Sequence, residues 1–304
     1  MKKKVSLVLS GGGARGIAHI GVIEELQKQG FEITAVAGTS MGALIGGVFA
    51  LGKMKEFKEW LYTLDRLKTF NLVDFTLSTQ GIVKGERVLQ KMKDFIPDAN
   101  IEDLPIYYRA IAADIKNSEE VVFSKGSVYQ AIRASMAIPT VFTPVKMDNR
   151  VLIDGGVLNN LPINHAKRTP DDIIVAVNVN ANKPVVRPVS ADEEKSNQKI
   201  YLKKMNEFYK HLQKINPLSK QETDTDTSDM GYFDLINKTI NLMTNQMAQI
   251  LMNHYPIDMQ INISRDSCGT FDFYRAKEQV EIGQYEANNS ITKYIEKMEG
   301  ESPS

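Results

Sequence analysis

Two glycine-framed turns hold the residues of this chain best suited to chemistry. Gly11-Gly12-Gly13-Ala14-Arg15-Gly16 follows the apolar run VSLVL, and Gly38-Thr39-Ser40-Met41-Gly42 follows a second apolar run at 33–37; each leads into a helical pattern. The second turn fits G-x-S-x-G, in which Gly38 and Gly42 relieve crowding around a serine forced into a tight strand-to-helix elbow. Ser40 then stands at a helix N-terminus, where free backbone N–H groups and the helix dipole favour developing negative charge. The first turn gathers backbone N–H donors and Arg15 where an oxyanion would need them. A nucleophilic serine beside an oxyanion hole is the equipment of ester hydrolysis.

The same glycines admit a rival reading. Gly11 to Gly16 also fits the dinucleotide fingerprint G-x-G-x-x-G after a strand and before a helix. That site places an acidic residue about 20 positions on, at the end of the second strand, to hold a ribose hydroxyl. Here the Gly38-Thr39-Ser40 turn occupies the place, and Glu32 precedes the strand at its opposite end, so an acyl oxyanion is the better match for the loop.

A serine nucleophile needs a base. The four histidines are His19, His165, His211 and His254, and none has a distinctive catalytic setting. His19 follows the glycine loop and His211 falls in a polar excursion, where structural or solvated roles are expected; His165 and His254 stay open. The other candidate is Asp154 in Ile153-Asp154-Gly155-Gly156, a carboxylate at the end of an apolar strand. On this tripeptide alone, a turn-forming aspartate is the more economical reading.

The elements that must position these groups alternate. Strand-like runs at 5–9, 33–37, 107–113, 121–124, 150–153 and 173–178 are interleaved with helical patterns at 17–29, 56–64, 87–95 and 128–136, which implies a parallel α/β core. The segment after Ser40, MGALIGGVFAL, is apolar around most of its circumference and reads as a central buried helix. Ile138-Pro139 should end the 128–136 helix and lead into an extended TVFTPV stretch. Residues 184–230 read as an insertion or flap, because 190–199 are polar and QETDTDTSD at 221–229 has no core-forming side chain. A long helix at 233–253, a strand at 257–263 and a terminal helix at 275–298 complete the core. The expected organisation is therefore 1–183 as catalytic core, 184–230 as excursion and 231–304 as its completion.

Composition narrows the class. The chain has 304 residues, 42% hydrophobic and 24% charged, as expected of a globular protein. Lys+Arg and Asp+Glu are both 37, so no global field attracts nucleic acid. The single cysteine, Cys268, excludes an intrachain disulfide and a zinc-type cysteine cluster and fits a reducing, cytoplasmic setting. Lys2-Lys3-Lys4 precedes an apolar segment that ends in glycines, which reads as a core strand in preference to a signal peptide. No apolar run approaches the roughly 20 residues needed to span a bilayer.

Taken together, GGGARG, GTSMG and DGG, in this order and with the serine so near the start, resemble the patatin-like phospholipase family, particularly its bacterial members. The resemblance covers roughly residues 5–180 and includes the stretch Arg133-Ala134-Ser135-Met136-Ala137-Ile138-Pro139 before the aspartate strand. It implies a three-layer α/β/α fold with a mainly parallel sheet, and a serine–aspartate dyad in place of a histidine triad. On that resemblance Ser40 is the nucleophile and Asp154 its general base, and the glycine-loop amides bind the oxyanion. Arg15 then anchors the loop or orients a lipid phosphate; a structural ion pair is the alternative. Gly156 matches bacterial relatives, where plant proteins often carry alanine.

The implied activity is hydrolysis of phospholipid or lysophospholipid acyl esters, which needs no metal or organic cofactor. A non-catalytic lipid-binding scaffold, a dinucleotide-binding protein and an α/β-hydrolase with a histidine triad are the alternatives. With an ordinary carboxylate as base, activity is expected to persist in mild acid unless burial raises the Asp154 pKa. A peripheral membrane contact is a further expectation for 196–216, where Tyr201, Met205, Phe208, Leu212 and Ile215 share one helical face away from most of the lysines. Packing of that stripe on the core is the more common use of such a face.

Overall fold

The structure, a computed structural model, describes residues 3–72, 86–139, 141–186 and 232–300. Eight strands form one sheet: β1 (Lys4–Leu9), β2 (Glu32–Thr39), β3 (Tyr107–Asp114), β4 (Glu119–Phe123), β5 (Val145–Met147), β6 (Arg150–Asp154), β7 (Asp172–Ala181) and β8 (Met259–Ser264). The hydrogen-bonded order is β5-β6-β3-β2-β1-β7-β8, with β4 also paired to β3. Strands β3, β2, β1, β7 and β8 are parallel to one another, whereas β4, β5 and β6 add antiparallel pairs.

Strand β1 shows why both sheet faces are covered. Val5, Leu7 and Leu9 point to one face and Val8 to the other, the period-two alternation of a strand buried on both sides. Strand β7 repeats it, with Ile173, Val175, Val177 and Val179 on the first face and Ile174 and Ala176 on the second. The first face carries α1 (Ala18–Lys28), α2 (Met41–Ala50), α3 (Met54–Tyr62), α5 (Glu86–Lys93) and α8 (Ala276–Gly300). Helix α6 (Val128–Ser135) packs against α2 and β3, and α4 (Arg66–Leu72) lies near the start of α8. The second face is covered by α7 (Tyr232–His254) and by Leu161 and Ile163. This is the expected three-layer α/β/α arrangement, and β8 and α8 belong to the same core as the N-terminal half.

Expected and observed elements agree to within a few residues at most ends. The apolar segment after Ser40 is α2, in which every residue but Phe49 is buried. Two differences stand out. Helix α4 has too short a periodic run to be read from sequence. The TVFTPV stretch turns before it extends: the Val141 and Phe142 amides bond back to the Ile138 carbonyl at 3.1 and 2.8 Å. Pro139, with its fixed φ, suits the second position of a turn, so the strand begins only at Val145. The amphipathic stripe of 196–216, His211 and nearly all of the 184–230 excursion lie outside the described residues. Among the described residues no helix is long and apolar enough to cross a membrane.

Candidate active site

Strand β3 acts as the ruler that brings the serine and the aspartate together. Its Ala110 and Ile111 are flanked by β2 and β4, and its Ala112–Asp114 segment by β4 and β6. Strand β6 therefore takes up the edge of β3 that β2 leaves. Thr39 is opposite Ile111 and Asp154 is opposite Ala112, so the last residue of β2 and the last residue of β6 occupy adjacent positions along one edge. The chain must leave the sheet at both points, and Ser40 and Asp154 stand at the two exits.

Ser40 sits on the elbow its motif implies. Its φ of 55° and ψ of −121° are unusual for a residue with a side chain, and such strain concentrates at functional sites. The flanking glycines are required by close approach: a Cβ on Gly38 would fall on the Gly42 carbonyl, and one on Gly42 would fall on the Leu9 carbonyl of β1. Larger residues at either position would push α2 off the sheet. Ser40 is 5% exposed. Its N–H donates to Ser135 Oγ at 2.8 Å, and that hydroxyl donates to the Ile111 carbonyl at 2.6 Å.

Asp154 ends β6 and caps the short helical turn that follows, its Oδ1 accepting from the Gly156 N–H at 2.8 Å. Ser40 and Asp154 line the same polar cavity. Burial pushes the Asp154 carboxyl up to about 6, against the opposing pull of the nearby Ser40 side chain and the Gly156 N–H. Gly155 packs on the Ile111 carbonyl, and Gly156 faces Asn160.

Backbone clips join this turn to the other two motifs. The Asn159 carbonyl accepts from Thr39 Oγ1 at 2.8 Å, and the Asn160 carbonyl accepts from the Gly11 N–H at 3.1 Å. Gly11 is thus a bound member of the loop and not an available donor, whereas the Gly12 and Gly13 amides make no hydrogen bond among the described residues. The loop is held from below by Ser10, whose N–H donates to the Val177 carbonyl at 3.1 Å and whose Oγ accepts from the Val179 N–H at 3.0 Å. Gly16 packs against Met41 at the start of α2.

Arg15 forms no ion pair among the described residues. Its Nη2 donates to Asn180 Oδ1 at 3.0 Å, and Asn180 Nδ2 donates to the Gly11 carbonyl at 2.7 Å. The guanidinium therefore steadies the glycine loop through a neutral amide. At the end of β2, where a dinucleotide site needs a carboxylate, Thr39 hydrogen bonds within the fold.

The histidines lie elsewhere. His19 is fully buried and donates from Nε2 to the Ser10 carbonyl at 2.8 Å; burial lowers its pKa to about 4, with the Ser10 bond opposing, so the ring is neutral. His165 pairs with Glu120, and His254 stacks edge-on against Tyr255. No histidine is among the described residues lining the two cavities that meet at Ser40.

Those cavities differ in character. One is narrow, about 60 Å³, and apolar, with Leu44, Phe57, Trp60, Leu61, Leu89 and Met136 among its walls. The other is broader, about 310 Å³, and joins the glycine loop and Asp154 to Asn160, Asn180, Thr244 and Asn245. Ser40, Gly13, Ile138, Thr270 and Phe271 border both. Sequence reasoning missed Ser135, Asn160, Asn180 and Ser10. Ser135 and Asn160 each stand in or beside a motif already singled out, which is the one signal that pointed toward them.

Comparisons with known proteins place this geometry in context. Residues 7–167 match the family described as patatin-like phospholipase. An uncharacterized NTE family protein of Mycobacterium tuberculosis is 32% identical over 328 residues, covering 95% of this chain and 91% of that protein. Lysophospholipase NTE1 of Debaryomyces hansenii is 27% identical over 300 residues, covering 96% of this chain but 18% of its own length. Among solved structures, VipD from Legionella pneumophila gives a TM-score of 0.46 at 15% identity, covering 96% of this chain and 67% of that one.

Proposed function

Because this chain belongs to the patatin-like phospholipase family, we propose that it is a serine-dependent lipid acyl-ester hydrolase in which Ser40 and Asp154 form the working dyad. The observation that carries the reading is that Ser40 and the buried Asp154 carboxyl line one polar cavity where it meets an apolar one, with the Ser40 side chain close enough to lower the Asp154 pKa. The apolar arm suits an acyl chain and the polar arm a glycerol or headgroup. Phospholipids and lysophospholipids are the substrate class this division fits.

In the proposed reaction the Asp154 carboxylate takes the Ser40 hydroxyl proton as Oγ attacks the ester carbonyl. The oxyanion of the tetrahedral intermediate is met by the unoccupied Gly12 and Gly13 amides, with the N-terminus of α2 adding its positive end. Collapse breaks the ester C–O bond, and the leaving alkoxide takes the proton back from Asp154. A water then repeats the sequence on the acyl-enzyme: Asp154 removes its proton, the acyl–Oγ bond breaks, and Ser40 is reprotonated as the free acid departs.

Ser135 is well placed to hold the elbow for this work, because its hydroxyl ties the Ser40 amide to β3. The test is labelling by a fluorophosphonate probe together with p-nitrophenyl ester turnover for wild type, Ser40→Ala and Asp154→Asn. Labelling and turnover in the wild type alone support the dyad. Equal labelling of Ser40→Ala places the nucleophile elsewhere, and an inert, folded wild type leaves a lipid-binding scaffold as the better reading.

A further inference from the structure

A third cavity, about 610 Å³, opens beside the polar arm and shares Arg15, Asn180 and Asn245 with it. Its remaining polar walls come from Asn178 and Asn182 at the end of β7, Arg265 and Asp266 after β8, and Lys238, Gln246 and Gln249 on α7. Among the described walls, three cations thus face one space with the carboxylate of Asp266.

None of the three cations has an ion-pair partner among the described residues. Arg15 and Arg265 each donate Nη2 to a neutral amide, Asn180 Oδ1 and Asn182 Oδ1, both at 3.0 Å. Arg15 Nε is buried with no hydrogen-bond partner, so the guanidinium retains donor capacity at the boundary between the two cavities. Arg15 is the one of the three largely withdrawn from water, where burial lowers its pKa against the opposing influence of Cys268 and Asp266, while Lys238 and Arg265 are exposed; guanidinium forks are suited to phosphate oxygens. No aromatic residue is among the described walls, so the space lacks the ring faces that hold a quaternary ammonium.

We infer that this cavity binds the phosphate of an anionic lipid headgroup and selects such lipids over choline-bearing ones. The inference rests on the proposed hydrolase reading: acyl chain in the apolar arm, ester at Ser40, and phosphate beyond Asn180 among Arg15, Arg265 and Lys238. Phosphate is the recognised group, and free inorganic phosphate is its other possible source.

The test uses the full chain and the double variant Lys238→Gln/Arg265→Gln, two positions outside the proposed dyad and glycine loop. The substrates are 1-acyl lysophosphatidic acid, lysophosphatidylcholine and an uncharged monoacylglycerol of the same chain length. The expected result is a loss of about 10-fold or more in kcat/KM for the lysophosphatidic acid in the double variant, with monoacylglycerol turnover unchanged and the wild type favouring the anionic lipid over the choline one. An equal fall on all three substrates, or no fall on any, overturns the inference while leaving the hydrolase reading intact.

Inorganic phosphate supplies the second arm, by calorimetric titration of wild type and double variant. Binding that the variant loses, together with competition against lysophosphatidic acid, supports a headgroup site. Phosphate binding with no effect of the variant on any lipid's kcat/KM overturns the headgroup assignment in favour of a free anion site. If the wild type hydrolyses none of the esters the hydrolase reading fails, and the titration alone then decides: loss of phosphate binding in the variant supports the anion site, and no binding to the wild type removes it.

Discussion

The Ser40 amide N–H donates to the Ser135 hydroxyl at 2.8 Å across 95 residues of chain. The N–H of a residue at positive φ is thereby fixed to α6, and through the 2.6 Å bond from Ser135 to the Ile111 carbonyl it is fixed to β3 as well. Ser135→Ala leaves a buried amide and a buried carbonyl without partners, at a cost of about 1–3 kcal/mol. The elbow is then free to relax toward ordinary backbone angles. The expected outcome is a fall of about 10- to 100-fold in kcat on a soluble ester with KM nearly unchanged, because the change acts on the placement of the proposed nucleophile. Equal fluorophosphonate labelling rates for variant and wild type would show that Ser135 serves folding alone.

Local chemistry explains what could be read before the fold was known. Gly38, Ser40 and Gly42 are legible because a crowded strand-to-helix turn imposes residue types at fixed spacing. Asp154 is half legible: its spacing specifies a turn, and only its position opposite Ala112 brings it beside Ser40. Ser135 lies in the stretch 133–139, yet its partner Ser40 is 95 positions away, and the partners of Asn180 and Ser10 are 169 away; nothing local specifies such partners. The turn at Pro139 departs from the extended stretch the sequence suggests, because fixed φ at proline serves either conformation. The alternating run of strands and helices was the most legible feature, since burial of a sheet on both faces writes itself into period-two patterns.

Burial sets the acid limit of the proposed reaction. With the Asp154 carboxyl pushed up to about 6, the base is protonated below that pH and cannot accept the Ser40 proton. Burial thus meets the condition under which activity does not persist in mild acid. The kcat/KM profile on an uncharged ester should fall tenfold per pH unit below about 6 and level off above it. A plateau extending down to pH 5 would count against Asp154 as the base.

The same carboxyl and His19 pull stability in opposite directions. The folded Asp154 pKa lies above its reference of 3.8, so its contribution favours the fold below about 4 and is lost as pH rises through about 6. The folded His19 pKa of about 4 lies below its reference of 6.5, so the fold is penalised as pH drops through that interval. Each shift of about two units corresponds to about 3 kcal/mol, and the two slopes offset one another in the wild type. Asp154→Asn removes one of them. Urea unfolding should find the variant more stable than wild type by about 2–3 kcal/mol at pH 8, with the difference vanishing near pH 4. A constant difference at both pH values would show that the Asp154 carboxyl is not perturbed in the fold.

The narrow apolar arm makes a prediction about chain length. Trp60 lines it from α3, its ring between Phe57 at 5.6 Å and Phe95 at 5.7 Å, and at about 60 Å³ the space has little slack. Because close-packed interiors relax only partly around a deleted side chain, Trp60→Ala should enlarge the cavity. A longer acyl chain then gains burial worth about 0.8 kcal/mol per methylene, close to fourfold in kcat/KM for each added group. Across a series of p-nitrophenyl esters from short to long chains, the optimum should move to longer chains in Trp60→Ala while the activity on the shortest ester holds. Loss of activity on all chain lengths in equal measure would instead assign Trp60 to the packing of α3 and leave the acyl chain to another surface.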